Sequence, residues 1–345
     1  MKNPFPTMRK ATRLTRKGRP LSAALLLQRT FLSAPIAAAT AKPVRRRGVA
    51  KAKTGIDRPA PGTFVEGDYG CAQGKLHYRL YTPVGSTRRR LPMIVMLHGC
   101  TQTAADFAAG TAMNRLADEL GFLVLYPEQS ARAHPNRCWN WHRPSNRIRG
   151  GGEAAVIAGM TRQMLKRCKG HEDRVYIAGI SAGGAAAAII AAAYPKLYAA
   201  VGVHSGVAAG EIGTISEALT AMRGQRQPSA GPTIAPPPMI LFHGDRDRVV
   251  HPSNADAFVS QLRRSSDLPL DARSEQGVIA GGRSFTRTLY RHGRGPVLLE
   301  EWTVHGSGHA WSGGSRAGSH TDPDGPDASR AMATFFLARR RSEGR

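Results

Sequence analysis

The sequence predicts an α/β fold, a mostly parallel sheet with helices on both faces. Three observations predict it. Short strand-like runs alternate with helical stretches from residue 93 onward. Two of those runs, MIVML at 93–97 and FLVLY at 122–126, are apolar throughout, as strands covered on both faces are. The stretch RVYIAGISAGGAAAAIIAA at 174–192 reads as a strand, a sharp turn and a helix.

Leu76, Tyr78 and Leu80 alternate with His77, Arg79 and Tyr81, a half-exposed strand at an antiparallel edge. The buried strand 93–97 comes next, then a helix over 112–120 that Gly121 ends, and the strand 122–126. Residues 153–167 place Ala154, Ile157, Met160, Met164 and Leu165 on or near one face of a helix. After the strand–turn–helix come strands at 198–203, 239–242 and 298–304, with helices over 254–263 and 327–339. Between 206 and 238 the pattern gives way to Gly, Ser, Pro and Ala. This reads as a loop or small cap at the carboxyl ends of the strands, where such sheets bind ligands.

Length and charge divide the chain. Its 345 residues suit one large α/β domain with an extension, or two small domains. Residues 1–59 hold 15 of the 49 Lys and Arg and one acid, Asp57, so they carry +14 of the net +25. Residues 1–61 therefore read as a basic leader and linker, disordered or partly helical, and 62–345 as the α/β domain. Residues 21–27 are apolar, Gln28 and Arg29 interrupt them, and small residues reach Ala39-Thr40-Ala41. That order resembles a secretory signal, with Arg29 against it. A basic amphipathic helix over 8–32 is the rival. Either way the segment is a candidate for surface association. No aromatic RNA-binding pattern, zinc finger or recognition helix accompanies the charge, which argues against specific nucleic-acid binding. No apolar stretch is long enough for a transmembrane segment.

The chemistry centres on Gly179-Ile180-Ser181-Ala182-Gly183, a G-x-S-x-G turn between strand and helix, which is what a nucleophile elbow requires. On so sharp a turn, side chains two before and two after the serine would collide with neighbouring chain, and glycine removes them. Serine needs a base and a group to orient that base, in the order Ser, acid, His along such a chain. The run 239–242 leads into His243-Gly244-Asp245-Arg246-Asp247, where two acids compete. Gly244 supplies the turn and Val249-Val250 re-enter packed structure, which favours Asp247; Asp245 caps the turn. After strand 298–304, His309 lies in a glycine-rich loop that can carry its ring over Ser181, while His305 belongs to the strand end. The oxyanion donors would be the amides of Ala182 and of Cys100, the latter turned inward by Gly99. This chemistry calls for no cofactor and no metal, and no Cys/His spacing fits a zinc site.

LHGCTQ at 97–102, RCWNW at 137–141, GISAGG at 179–184, HGDRD at 243–247 and GSGHAWSGG at 306–314 occur in this order. Together they resemble the polyhydroxybutyrate (PHB) depolymerase family of esterases, relatives of feruloyl and acetylxylan esterases. The resemblance covers about residues 62–340. It implies an α/β-hydrolase fold and an extracellular serine esterase, with Ser181, Asp247 and His309 as its catalytic triad. The expected substrate is a short-chain hydroxyalkanoate oligomer or polyester, a feruloyl or acetylxylan ester being the alternative. A rival of another class is a basic surface-binding protein acting through residues 1–59. The resemblance also suggests Trp139, Trp141 and Trp311 beside the substrate crevice, with burial in the core as the alternative. The chain ends about 36 residues past His309, in one last helix, so no C-terminal polymer-binding domain is expected.

Cys100 ends one buried strand, and Cys138 lies in the long connection after its neighbour. Both should emerge on the same rim, so a disulfide between them is expected. Two buried thiols are the alternative, which a cytoplasmic location would favour.

Overall fold

The computed structural model describes residues 62–85, 90–208, 212–225, 237–265 and 268–341. The basic leader, with its signal-like and helical readings, lies outside the described residues. In chain order the first elements are β1 (Thr63–Cys71), β2 (Gly74–Thr82), β3 (Met93–Leu97), α1 (Ala104–Thr111), α2 (Met113–Leu120), β4 (Leu123–Glu128), α3 (Gly152–Arg167), β5 (Val175–Ile180) and α4 (Ala182–Ala193). Next come β6 (Ala200–His204), α5 (Ile215–Met222), β7 (Met239–Gly244), α6 (Ser253–Arg264), β8 (Asp271–Val278), β9 (Ser284–Arg291) and β10 (Leu299–Val304). The last are β11 (Trp311–Ser312), β12 (Thr321–Asp322) and α7 (Ala328–Leu337).

Ten strands form one sheet in the order β1-β2-β4-β3-β5-β6-β7-β10-β9-β8. The six from β4 to β10 are mutually parallel, and antiparallel strands flank them on both sides. Alternation along the strands builds two cores. Met93, Val95 and Leu97 of β3 enter one cluster with α3, α4 and α6, while Ile94 and Met96 enter the other with α1, α2 and α7. Every side chain of β3 and β5 is buried, so neither strand shows an exposed face. Among the described residues no helix is long and apolar enough to cross a membrane.

The structure corrects several element boundaries. The edge strand expected around 76–80 has β1 outside it, so β2 is second from the edge. The strand expected from 198 begins at Ala200, because Leu197 and Tyr198 still donate to the Tyr194 carbonyl in the turn that ends α4. Within 206–238, helix α5 forms on a capping box between Thr214 and Glu217. The β8–β9 hairpin has no apolar signal in the sequence, since β8 is exposed along almost all its length.

The β5–α4 turn is possible only because two glycines let main chains touch. A Cβ at Gly183 would lie 2.2 Å from the Leu97 carbonyl oxygen and 2.5 Å from that of His98. One at Gly179 would lie 2.5 Å from the Gly183 carbonyl. Backbone cannot retreat as a side chain can. Gly183→Ala is therefore expected to cost about 2 kcal/mol or more, read as a lower urea midpoint. Gly308, with open space around its α-carbon, is the control. Equal midpoints for Gly183→Ala and Gly308→Ala would contradict this account.

Candidate active site

Ser181 sits between β5 and α4 at φ 58°, ψ −123°. A non-glycine residue there stores strain on the order of 1–3 kcal/mol. Its amide donates to the His204 carbonyl at 2.9 Å, and its own carbonyl accepts the first α4 bond, from Ala185 at 3.0 Å. Helix α4 thus starts at Ala182, whose amide belongs to the first turn and has no acceptor within the helix. The positive end of the helix dipole lies beside Ser181.

Asp247 and His309 meet across the ends of β7 and β10. Asp247 Oδ2 lies 2.7 Å from His309 Nδ1, and Oδ1 accepts the amides of Val249 (2.8 Å) and Val250 (2.9 Å). The carboxylate is fully buried, and the imidazole keeps a small exposed fraction. Burial pushes the Asp247 carboxyl up. The His309 hydrogen bond and charge, the His243 charge and the Val250 amide outweigh it and hold the pKa at about 2. The two loops interlock at Gly244, where a Cβ would lie 2.4 Å from the Ser307 carbonyl oxygen. The competing acid is occupied elsewhere. Asp245 accepts the Gly306 amide at 2.7 Å and pairs with His305 at 3.0 Å, both side chains more than a third exposed.

The loop after β3 is fixed from several sides. The Gly99 amide donates to Gln102 Oε1 (2.9 Å), and the Thr101 amide donates to the Asn136 carbonyl (2.6 Å). Among the described residues no acceptor is seen for the Cys100 amide. Cys100 and Cys138 are joined by a disulfide, their Cα atoms 4.3 Å apart. Thr101 and, across the loop, His320 are both at positive φ, 71° and 54°.

Three buried histidines support this assembly, and His98 and His243 belong to sequence motifs; His243 Nε2 donates to the Val250 carbonyl at 2.9 Å. His98 Nε2 accepts the Gln129 amide at 3.0 Å, which leaves Nδ1–H to donate to the Gly99 carbonyl at 2.8 Å. His204 Nε2 accepts the Ser312 amide at 2.9 Å while its carbonyl holds the Ser181 amide. One residue thereby ties the elbow to the strand after His309. Burial lowers His98 to about 4; burial, then the charges of His243 and His309, lower His204 to about 3. The sequence signal for His204 is a histidine at the end of the strand next to the elbow strand. Glu153 also escapes a reading of the sequence. It accepts from the Asn140 amide (2.9 Å), Asn140 Nδ2 (2.7 Å) and Gln129 Nε2 (2.6 Å), which fixes the loop bearing Cys138.

The tryptophans require a correction. Trp139, Trp141 and Trp311 are all buried and packed in the cores, so they do not form an open crevice wall. Trp139 Nε1 donates to the His98 carbonyl at 3.0 Å. Trp311 stacks on His204 and donates to Ser329 Oγ at 2.9 Å. Their role is support from behind, because the loops that carry them fold inward.

Sheet order and the strand–turn–helix at Ser181 define the class, an ester hydrolase of the α/β-hydrolase fold. The chain belongs to the Esterase PHB depolymerase family, whose sequence pattern matches residues 76–277. It is 31% identical over 254 residues to poly(3-hydroxyalkanoate) depolymerase C of Paucimonas lemoignei, covering 70% of this chain and 60% of that protein. It thus spans less than two thirds of that relative. It is 32% identical over 237 residues to feruloyl esterase B of Thermothelomyces thermophilus, covering 63% of this chain and 78% of that one. The fold is shared with an acetyl xylan esterase from Aspergillus awamori at a TM-score of 0.51 and 20% identity, over 68% of this chain and 89% of that one.

This geometry leads to two expected outcomes. Asp247→Asn is expected to lower kcat/KM about 10³–10⁴-fold, because the amide favours the wrong His309 tautomer. Asp245→Asn should cost less than about tenfold, and equal losses in ester hydrolysis would overturn the assignment. The buried histidines give a pH signature. His98, His204 and His243 all have folded pKa values below the unfolded 6.5, so their contribution is complete above pH 6.5. It is lost at about 1.4 kcal/mol per pH unit per ring as pH falls toward 4 for His98 and toward 3 for His204. Asp247 acts only below pH 4, so it does not contribute to a comparison made at pH 4.5 and above. Urea midpoints at pH 7.5, 5.5 and 4.5 should fall steadily, and a flat series would contradict neutral buried rings.

Proposed function

We propose that the protein is a serine esterase that cleaves short-chain hydroxyalkanoate esters or oligomers through an acyl-enzyme on Ser181. The observation that carries this reading is the 2.7 Å contact between Asp247 and His309 in a sheet whose β5 ends in the strained Ser181 elbow. In the first step Ser181 Oγ attacks the ester carbonyl carbon and His309 Nε2 takes the hydroxyl proton. Asp247 accepts the hydrogen bond from His309 Nδ1–H and balances the imidazolium. The carbonyl oxygen becomes an oxyanion, held by the amides of Cys100 and Ala182. Collapse breaks the ester C–O bond, and the leaving alkoxide takes the proton from His309. Water then adds to the acyl-enzyme with His309 as base, releasing the acid and restoring Ser181.

The likeness to poly(3-hydroxyalkanoate) depolymerase C supports the hydroxyalkanoate substrate. The likeness to feruloyl esterase B and to acetylxylan esterase A of Emericella nidulans supports a second reading, a plant-cell-wall esterase on the same scaffold. The Cys100–Cys138 disulfide supports an oxidising, extracellular location. The +14 charge of residues 1–59 supports association with an anionic surface.

Ser181→Ala is expected to lower kcat for p-nitrophenyl butyrate about 10⁴–10⁶-fold. A phosphonate inhibitor should label Ser181, and labelling elsewhere with Ser181 untouched would overturn the mechanism. Hydroxybutyrate oligomers, methyl ferulate and acetylated xylan assayed side by side decide between the two substrate readings.

A further inference from the structure

Two exposed side chains on the loops that follow Cys100 and His309 have no part in the reaction just described. Thr101 comes directly after the Cys100 amide. His320 precedes β12, and its carbonyl accepts the Trp311 amide at 2.7 Å, in the parallel pair that begins two residues after His309. The side chains come together across 219 positions of sequence, Thr101 Oγ1 lying 3.3 Å from His320 Nε2. Both residues are exposed. Both also hold a left-handed backbone, which a β-branched threonine adopts rarely. Strain in non-glycine residues persists where surrounding structure over-determines it, and it gathers at functional sites.

The surroundings do over-determine this pair. Asp106 accepts from the Ser319 amide (2.9 Å), Ser319 Oγ (2.6 Å) and Gln102 Nε2 (2.9 Å). Gln102 in turn holds the Gly99 amide through Oε1. Gly318 packs so closely on α1 that a Cβ there would lie 2.4 Å from the Gly110 nitrogen. Thr101 and His320 are thus held as a fixed polar bridge between the oxyanion loop and the histidine loop.

We propose that Thr101 and His320 form a subsite for a neutral oxygen of the substrate beyond the scissile ester. That oxygen is the hydroxyl or ester carbonyl of an adjoining hydroxyalkanoate unit. The inference rests on the assignment of Ser181, His309 and the Cys100 amide as the reacting centre. The Thr101 hydroxyl has one donor and two acceptor sites, so beside its contact with His320 it can still bond a substrate oxygen, and His320 sets which way the hydroxyl points. A hydroxyalkanoate oligomer presents such an oxygen in every unit. A simple butyrate ester has none on its acyl chain.

The test compares two substrates on the same protein, a 3-hydroxybutyrate trimer and p-nitrophenyl butyrate. Thr101→Val keeps the branched shape, and His320→Asn keeps a residue that tolerates left-handed backbone. Each variant is expected to lower the ratio of trimer to butyrate kcat/KM about 3–10-fold, through KM for the trimer, the size of one lost hydrogen bond. His320→Gln, with a longer amide, should recover part of that loss. The ratio is insensitive to a misfolded fraction, which lowers both activities equally. An unchanged ratio with active trimer hydrolysis would overturn the subsite and leave the esterase reading intact. A wild-type protein that cleaves p-nitrophenyl butyrate but not the trimer would overturn the hydroxyalkanoate substrate as well.

Discussion

The close approach of two main chains is the constraint on which the rest of the site depends. Gly183 lies so near the Leu97 and His98 carbonyls that nothing larger than hydrogen fits between them. That contact brings the start of α4 against the end of β3. It therefore sets the Ala182 and Cys100 amides in one neighbourhood, and it lets Ser181 hold its strained backbone. Further anchors pull on the same point. His204 grips the Ser181 amide from β6, and Trp139 grips the His98 carbonyl from the 137–141 loop. Serine placement is over-determined by contacts from three separate elements.

Electrostatics then separates groups that look alike in sequence. Two aspartates two residues apart have different fates, because the turn at Gly244 sends one inward and the other outward. Asp247 is buried under amides and a histidine, which keep it ionised. Asp245 spends its carboxylate on His305 and the Gly306 amide at the surface. The histidines divide in the same way. His98 and His204 are held neutral by burial and serve as fixed donors and acceptors. His309, directed by Asp247, is the ring that keeps some exposure.

Much of this was legible in the sequence, for physical reasons. Strands β3, β4 and β5 are covered on both faces, so their apolar runs are unmistakable. The glycines of the elbow could be read because sterics leave no substitute. Asp247 could be separated from Asp245 because Val249 and Val250, close behind it, return the chain to the core. The β8–β9 hairpin could not be read, because Asp271–Val278 is solvent-exposed and has no buried face to impose a period on it. Strand β1 failed likewise, its side chains being mostly exposed. The tryptophans misled because the motif around them lies near the site in sequence while the rings turn into the core. His204 was silent because its function is a backbone carbonyl and a ring nitrogen, neither of which residue type alone discloses.

The clamp on Trp311 has a consequence for synthesis of the chain. Its indole donates to Ser329 Oγ, which donates onward to the Thr111 carbonyl. The strand after His309 is thus secured by a residue of the last helix acting on the first helix of the domain. A ribosome delivers Ser181 about 150 residues before that clasp can close. The nascent chain carries Ser181 through more than a third of translation before the loop bearing His309 is fastened. The contacts that hold the strand after His309 can form only once the last helix has been made and has packed on the sheet.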